Sequence, residues 1–391
     1  MSEIWTYQDC IESVVDAFNG ELSDRCKRFA RRAIAEALRE IANTRTWSYF
    51  YRRGKITTVA QQTTGSITYV HATRTATLSG ATFPADAQYY ELLISGIRYE
   101  IDSYTDSTNV VLSSSQNPGA DISTATSYSL LRDTYPLPDD FVTMGTLMDA
   151  TDGCRQIPQA TVNDITLSNR AIRSPGVPNL YAVTKVAENQ GGIGVIFSPP
   201  PSAARVYDFA YQARPRPLAT EQYKAGTVTS AAASALLTGT GTAFAAAHVG
   251  SVIRLSGSST VLPTSIIGGL SNDFNPFAYQ RVIKAVNSAS GAGALTLDSA
   301  IDATLTGVKY TISDPIDIEP GAMHTAFLRL AEAQYAQLIG RADAIPRRKT
   351  AEMTLYEAAS ADNRLMSGAD NPLGRHATGT LADYVGSVGT I

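Results

Sequence analysis

LSDRCKRFARRAIAEALREIANTRTW, residues 22–47, is the clearest helix in the chain. Ser23 is placed to cap its start, since a serine oxygen ahead of the first turn accepts an amide proton the helix leaves unpaired. Cys26, Phe29, Ala30, Ala33, Ile34, Ala37 and Ile41 recur at three- and four-residue steps. At about 100° per residue those positions form one apolar stripe, with Cys26 read as a small buried hydrophobe. Arg25, Arg28, Arg32 and Arg39 gather on the opposite face. A helix so patterned has to bury its stripe, and its best partners lie at the far end of the sequence. Pro320-Gly321 opens a helix to Ile339 with Met323, Phe327, Leu330, Ala331, Tyr335 and Leu338 on one side. Pro346 suits the first turn of another, to about Met366, with Leu355, Ala358, Ala359 and Leu365 apolar. A short helix over 6–18, carrying Tyr7, Cys10, Ile11, Val14 and Phe18, precedes the opening one. The two chain ends are therefore expected to close into one helical body that buries Phe29, Ile34 and Leu330, with β-rich material inserted between.

The inserted texture is short, β-branched and punctuated by Gly, Ser, Thr and Asn, as antiparallel strands are. It runs from 55 to 131 and returns at 226–313, where the chain repeats itself. GSIT (65–68) answers GTVT (226–229), and ATLSGATFPA (76–85) answers LLTGTGTAFAA (236–246). YEIDSYTDSTNVVLSS (99–114) answers RVIKAVNSASGAGALTLDS (281–299), and SYSLLRDTYPL (127–137) answers KYTISDPIDI (309–318). Order and spacing are kept, which predicts two copies of one β-module of about six strands, a sandwich or small barrel. The second copy carries an extra loop, 257–278, with Ile266, Ile267, Phe274 and Phe277. So apolar a loop is either folded back on its module or used against a partner.

Between the modules, YPLPDDF (135–141) reads as a stiff turn, followed by strands at 142–148, 178–186, 194–197 and 206–212. These predict a small sheet leaning on the helical body. The fold class expected is α+β multidomain. Residues 1–60 and 314–366 supply the helices, 134–223 the small sheet, and 61–133 and 224–313 the inserted modules. The last stretch, 367–391, has much Gly and no period, yet contains Leu373, Leu381, Tyr384, Val385, Val388 and Ile391. Such a segment is expected to be extended and to order only against a partner.

Composition sets limits. With 391 residues, 44% hydrophobic and 17% charged, the chain suits several soluble globular domains. A formal charge of −4 excludes a protein whose whole surface grips nucleic acid. No apolar run approaches the ~18 residues of a membrane span, and the opening MSEIWTYQDC has no signal-peptide pattern. Three cysteines at unrelated spacings (Cys10, Cys26, Cys154) point to free thiols and synthesis in a reducing cytoplasm.

Signatures of chemistry are missing from the sequence. His71, His248, His324 and His376 have no metal-ligand spacing around them, so neither a metal nor a cofactor is expected. GTGTAF (239–244) lacks the helix a phosphate loop requires and reads as a strand-to-turn junction. Asp139-Asp140 after Leu-Pro reads as turn residues before it reads as an acid–base pair. The Arg25, Arg28, Arg32 and Arg39 row, interrupted by Glu36 and Glu40, is open to three readings: solvent, an acidic protein surface, or phosphate. The Arg347-Arg348-Lys349 run is open to the same three.

Laid out in order, the chain resembles the head-to-tail adaptor (connector) proteins of tailed bacteriophages, the group that includes tail tubular protein A of podoviruses. The resemblance lies in the N-terminal helix pair ending in the aromatic cluster Trp47, Tyr49, Phe50 and Tyr51, and in YPLPDDF (135–141). It lies also in SPGVPNLYAVTKVAENQGGIGVIFSPPPSAARVYDFAYQARPRPL (174–218) and in the C-terminal helices with their loose tail. The β-modules look like the Ig-like or small-barrel decorations of phage structural proteins. The resemblance implies a non-enzymatic virion protein of the neck, a homo-oligomeric ring that is dodecameric by analogy. Its partners would be the portal, touched by Leu373, Leu381, Tyr384, Val385 and Ile391, a tail or nozzle protein, and genomic DNA passing without sequence recognition. No membrane is implied. A second reading, a tail-fibre or receptor-binding protein whose modules bind host glycans, would use aromatic pairs such as Tyr89-Tyr90 as stacking platforms. A third, a hydrolase of cell-wall polymers, has only Asp139 and Asp140 to offer.

Overall fold

The computed structural model describes residues 4–18, 20, 22–171, 175–186, 188, 192–263, 279–287 and 293–367. The chain divides into two compact units, Met1–Tyr49 with Pro215–Ile391, and Phe50–Arg214. Among the described residues there are five α-helices: α1 (Tyr7–Asp16), α2 (Asp24–Thr44), α3 (Val162–Ala171), α4 (Ala322–Leu338) and α5 (Ala344–Ser367). All but α3 belong to the first unit.

Local chemistry starts these helices where the pattern predicts. Thr6 and Asp9 form a reciprocal capping box at α1, the Thr6 amide donating to Asp9 Oδ2 at 2.8 Å. Ser23 Oγ accepts from the Cys26 amide at 3.3 Å. α2 buries Ala30, Ala33, Ile34, Ala37, Leu38 and Ile41, and packs against α4, which buries Met323, Phe327, Leu330 and Ala331. α5 in turn lies along α4. Two residues of the predicted stripe depart from it. Phe29 is half-buried at the stripe's rim, with the Arg25 guanidinium 5.7 Å from its ring. Cys26 is half-buried too, with its thiol beside the buried hydroxyl of Tyr335.

Each β-module is a seven-stranded, nearly closed antiparallel sheet, one strand more than the repeat predicts. The first comprises β2 (Ser66–Val70), β3 (Thr75–Ser79), β4 (Glu91–Ile94), β5 (Ile97–Tyr104), β6 (Asn109–Leu112), β7 (Ile122–Thr126) and β8 (Tyr128–Leu131). The second comprises β15 (Thr227–Ser230), β16 (Ser234–Thr240), β17 (Val252–Leu255), β18 (Gln280–Asn287), β19 (Ala294–Ile301), β20 (Leu305–Val308) and β21 (Tyr310–Ser313). The order β7-β2-β3-β6-β5-β4-β8 is matched strand for strand by β20-β15-β16-β19-β18-β17-β21. The repeat therefore holds in three dimensions. Its excess lies between β17 and β18, where the first module turns at Ser95 and Gly96, both with positive φ. Residues 264–278 of that connection lie outside the described set.

Shared details fix the register. Gly65 (φ +91°) and Gly226 (φ +79°) lead into β2 and β15, and a Cβ on either would stand 2.3 Å from a facing carbonyl oxygen. Only glycine fits there. The hydroxyl of Tyr128 donates to the Thr64 carbonyl at 2.8 Å, and that of Tyr310 to the Ala225 carbonyl at 2.5 Å. In both copies a buried tyrosine of the last strand thus closes on the residue before the glycine.

The remaining strands of the second unit form two small sheets instead of one. They are β1 (Tyr51–Thr57), β9 (Thr134–Pro136), β10 (Phe141–Asp149), β11 (Arg155–Ile157), β12 (Leu180–Lys185), β13 (Ile193–Ser198) and β14 (Val206–Ala213). One sheet runs β1-β14-β10-β11 and the other β12-β13-β9, around a core of Tyr135, Phe141, Leu147, Phe197, Tyr207 and Phe209.

Two outcomes follow from this packing. Leu330→Ala is expected to cost ~2–5 kcal/mol of unfolding free energy in denaturant titration, the range for a fully buried leucine. His324 lies 4.6 Å from the ring of Trp5 with its Nε2 buried and without a hydrogen bond among the described residues. Burial holds its pKa below the ordinary 6.5. Below that pH the unfolded chain takes a proton that native His324 refuses, so stability is level above about pH 7 and falls below about pH 6.5. Denaturation midpoints across that window should slope less in His324→Leu, with His248, likewise held down by burial, supplying part of what remains.

Candidate interaction surface

α2 presents its arginines to solvent. Arg25, Arg28, Arg32 and Arg39 are all exposed, as is Arg31, which pairs sideways with Glu221. Arg32 is held by Glu36 at 2.7 Å, one turn on. Arg28 and Arg39 have no ion-pair partner among the described residues. Glu40, which in the sequence interrupts the row, is turned away from it: its carboxylate takes both Arg348 amino groups and the Gln334 amide. The face is consequently more basic than the linear pattern implies. The Arg347-Arg348-Lys349 run behaves differently, because Arg347 pairs with Glu332 and Asp343 and Arg348 with Glu40 and Glu352. Two of its three charges are structural.

Asp139 and Asp140 occupy the turn into β10, where the Phe141 amide donates to the Pro138 carbonyl at 2.9 Å. Asp140 is held at both oxygens, by Arg52 at 2.8 Å and by the Tyr211 hydroxyl at 3.0 Å. That bracing suits a turn and leaves this carboxylate poorly placed to receive a substrate proton. His71 is exposed, His248 packs on Tyr223 at 4.8 Å, and His324 packs at a tilt on Trp5. Among the described residues no three or more His, Cys, Asp or Glu side chains converge as metal ligands, and no helix is long and apolar enough to cross a membrane. Cys10, Cys26 and Cys154 are free. Leu373, Leu381, Tyr384, Val385 and Ile391, His376, and the loop residues Ile266, Ile267, Phe274 and Phe277 lie outside the described residues.

One surface escaped the sequence reading. α5 buries only Ala351, Ala358 and Asp362 among its described residues, while Ile345, Met353 and Tyr356 are 72%, 67% and 76% exposed. The signal was there: Met353 and Tyr356 each lie 100° or more around the helix from both Leu355 and Ala358. No protein-family model matches the chain, and no curated protein matches it in sequence.

Because Arg28 and Arg39 are exposed and have no ion-pair partner among the described residues, Arg28→Ala and Arg39→Ala should each shift unfolding free energy by less than about 0.5 kcal/mol. Chemical denaturation checks this, and a larger loss would mean that the row is structural.

Proposed function

We propose that this protein is a non-enzymatic head-to-tail adaptor of a tailed-phage virion, built around a discontinuous helical body and residing in the neck. Its subunits form a ring, dodecameric by analogy, between the portal and a tail or nozzle protein. DNA passes through without being read. The observation that supports this best is the packing of α2 on α4, with α5 beside it, in one unit drawn from both chain ends. Such a body leaves two helix surfaces open to contacts with other chains, the arginine row of α2 and the side of α5 that carries Ile345, Met353 and Tyr356. In this reading the apolar residues of 367–391 bind the portal and recover their ordering entropy by burial in that complex.

The glycan-binding alternative would draw on Tyr89 more than on Tyr90. Tyr90 is buried beneath Arg132, whose guanidinium is 5.5 Å from the ring, and Tyr89 packs on the core of its module with part of its ring exposed.

Removing 368–391 is expected to leave the subunit folded while abolishing its attachment to portal-bearing heads, read by co-sedimentation with isolated heads. Wild-type attachment by the truncated chain would remove the portal-binding role of this segment and, with it, a main support of the adaptor reading.

A further inference from the structure

The arginine face of α2 is a straight line of one sign of charge. Arg25, Arg28, Arg32, Ala35 and Arg39 are all exposed and recur at steps of three and four. At 100° per residue they fall within about 80° of one another, along about 21 Å of helix. The acids nearby do not cancel them all. Glu40 is drawn off to Arg348, Glu36 is taken by Arg32, and Asp24 stands beyond the end of the row. Arg28 and Arg39 keep their charge with no ion-pair partner among the described residues.

What the line lacks narrows its partner. Among its described residues α2 exposes no large apolar side chain. A protein partner would need one, because protein interfaces draw their strength from a desolvated apolar or aromatic centre. A phosphate backbone needs none, since neutralised charge and released counterions supply its affinity, and the guanidinium fork matches phosphate oxygens in pairs. Single strands are held by stacking bases on aromatic rings. The one ring of α2, Phe29, is half-buried with the Arg25 guanidinium 5.7 Å from its centre. A stiff row suits a stiff duplex, in which 21 Å of axis carries about six phosphates of one strand. Between Arg25 and Arg39 there is no Asn or Gln, the side chains that read adenine edges.

We propose that the α2 row is a docking surface for the phosphate backbone of duplex DNA, engaged without sequence preference. Arg28 and Arg39 carry the contact, and Arg25 and Arg32 reinforce it. That DNA is the polyanion at hand rests on the adaptor reading, in which a duplex passes this protein. So few phosphate contacts give weak, salt-sensitive binding, which holds a duplex in line without halting it.

Fluorescence anisotropy of a labelled duplex of arbitrary sequence, titrated with the purified full chain at several salt concentrations, provides the test. Wild type should bind at low salt, with log K falling against log salt at a slope of about −3, as three or four phosphate contacts require. Arg28→Glu/Arg39→Glu should weaken binding on the order of tenfold or more and flatten the slope by about 2. Arg28→Lys/Arg39→Lys should keep most of both. Arg53→Glu/Lys55→Glu, the same change of net charge at exposed positions of β1, should bind nearly as wild type does. All these positions are at the surface, and unchanged thermal melts would confirm folding. No binding at low salt overturns the proposal, as does a loss in Arg28→Glu/Arg39→Glu no larger than in the β1 variant. Equal affinity for the single strand overturns the duplex, and tighter binding of polyglutamate points the row at an acidic protein instead. Failure here leaves portal attachment untouched, and loss of portal attachment leaves DNA binding untouched, so the two readings fail separately.

Discussion

The first unit is organised around a buried ion pair between residues 245 positions apart in the sequence. Arg254 on β17 meets Asp9 on α1 through two bonds, at 2.8 and 2.7 Å, with the side chains 4% and 0% exposed. Its remaining donors go to the Ile4 carbonyl and to Gln280. Asp9 also caps its own helix, so one carboxylate starts α1 and seats it on the second module. The net stability of such a pair is small, since desolvating two charges offsets most of their attraction. Its effect is selective. Any arrangement that leaves either charge buried alone costs about 3–5 kcal/mol, which penalises every docking of the N-terminus but this one.

A related device recurs immediately after the last strand of each module, with opposite sign. Arg132 follows β8 and binds Asp86, Glu188 and the Thr134 carbonyl, with the Tyr135 ring 4.9 Å away. Asp314 follows β21 and collects the Ala219 and Thr220 amides, the Ser251 hydroxyl and Arg216. The strand order, the glycine and the tyrosine latch are common to both copies, whereas the residue at the exit is specific to what surrounds each. Repetition thus preserved what folds the module and changed what attaches it.

That division explains what could be read from the sequence. Turn glycines, alternating strands and the α2 stripe are local, set by residues within a few positions of one another, and they were legible. Gly65 and Gly226 marked the two modules because their backbone tolerates nothing larger. Arg254 looked like any strand residue, since its partner is Asp9 and nothing near either one announces the other. α3 was missed because its apolar positions are sparse, and it is held by Asn169 reaching the Phe197 carbonyl at 2.9 Å. β1 was hidden among aromatics that belong to the end of α2, and only its pairing with β14 makes it a strand. Of the candidate surfaces, the α2 arginine row was legible as periodicity; its freedom from Glu40 was not.

The turning of Glu40 shows how a chain of net charge −4 acquires a basic face. Formal charge counts every carboxylate alike, but several in this unit are spent inward. Asp9 is taken by Arg254, Asp314 by Arg216 and backbone amides, and Asp362 by Arg45 and Ser48. Where an inward acid pairs with an inward base, the surface is unchanged. Where it takes backbone amides or hydroxyls as well, or an arginine from a distant helix, it ceases to neutralise its own helix. Glu40 is the clearest case, because Arg348 of α5 removes it from the α2 surface. The remaining row is then set against water at a modest energetic cost, since exposed like charges several ångströms apart repel weakly at physiological salt. A face that costs so little to leave open can be retained for contact with another chain.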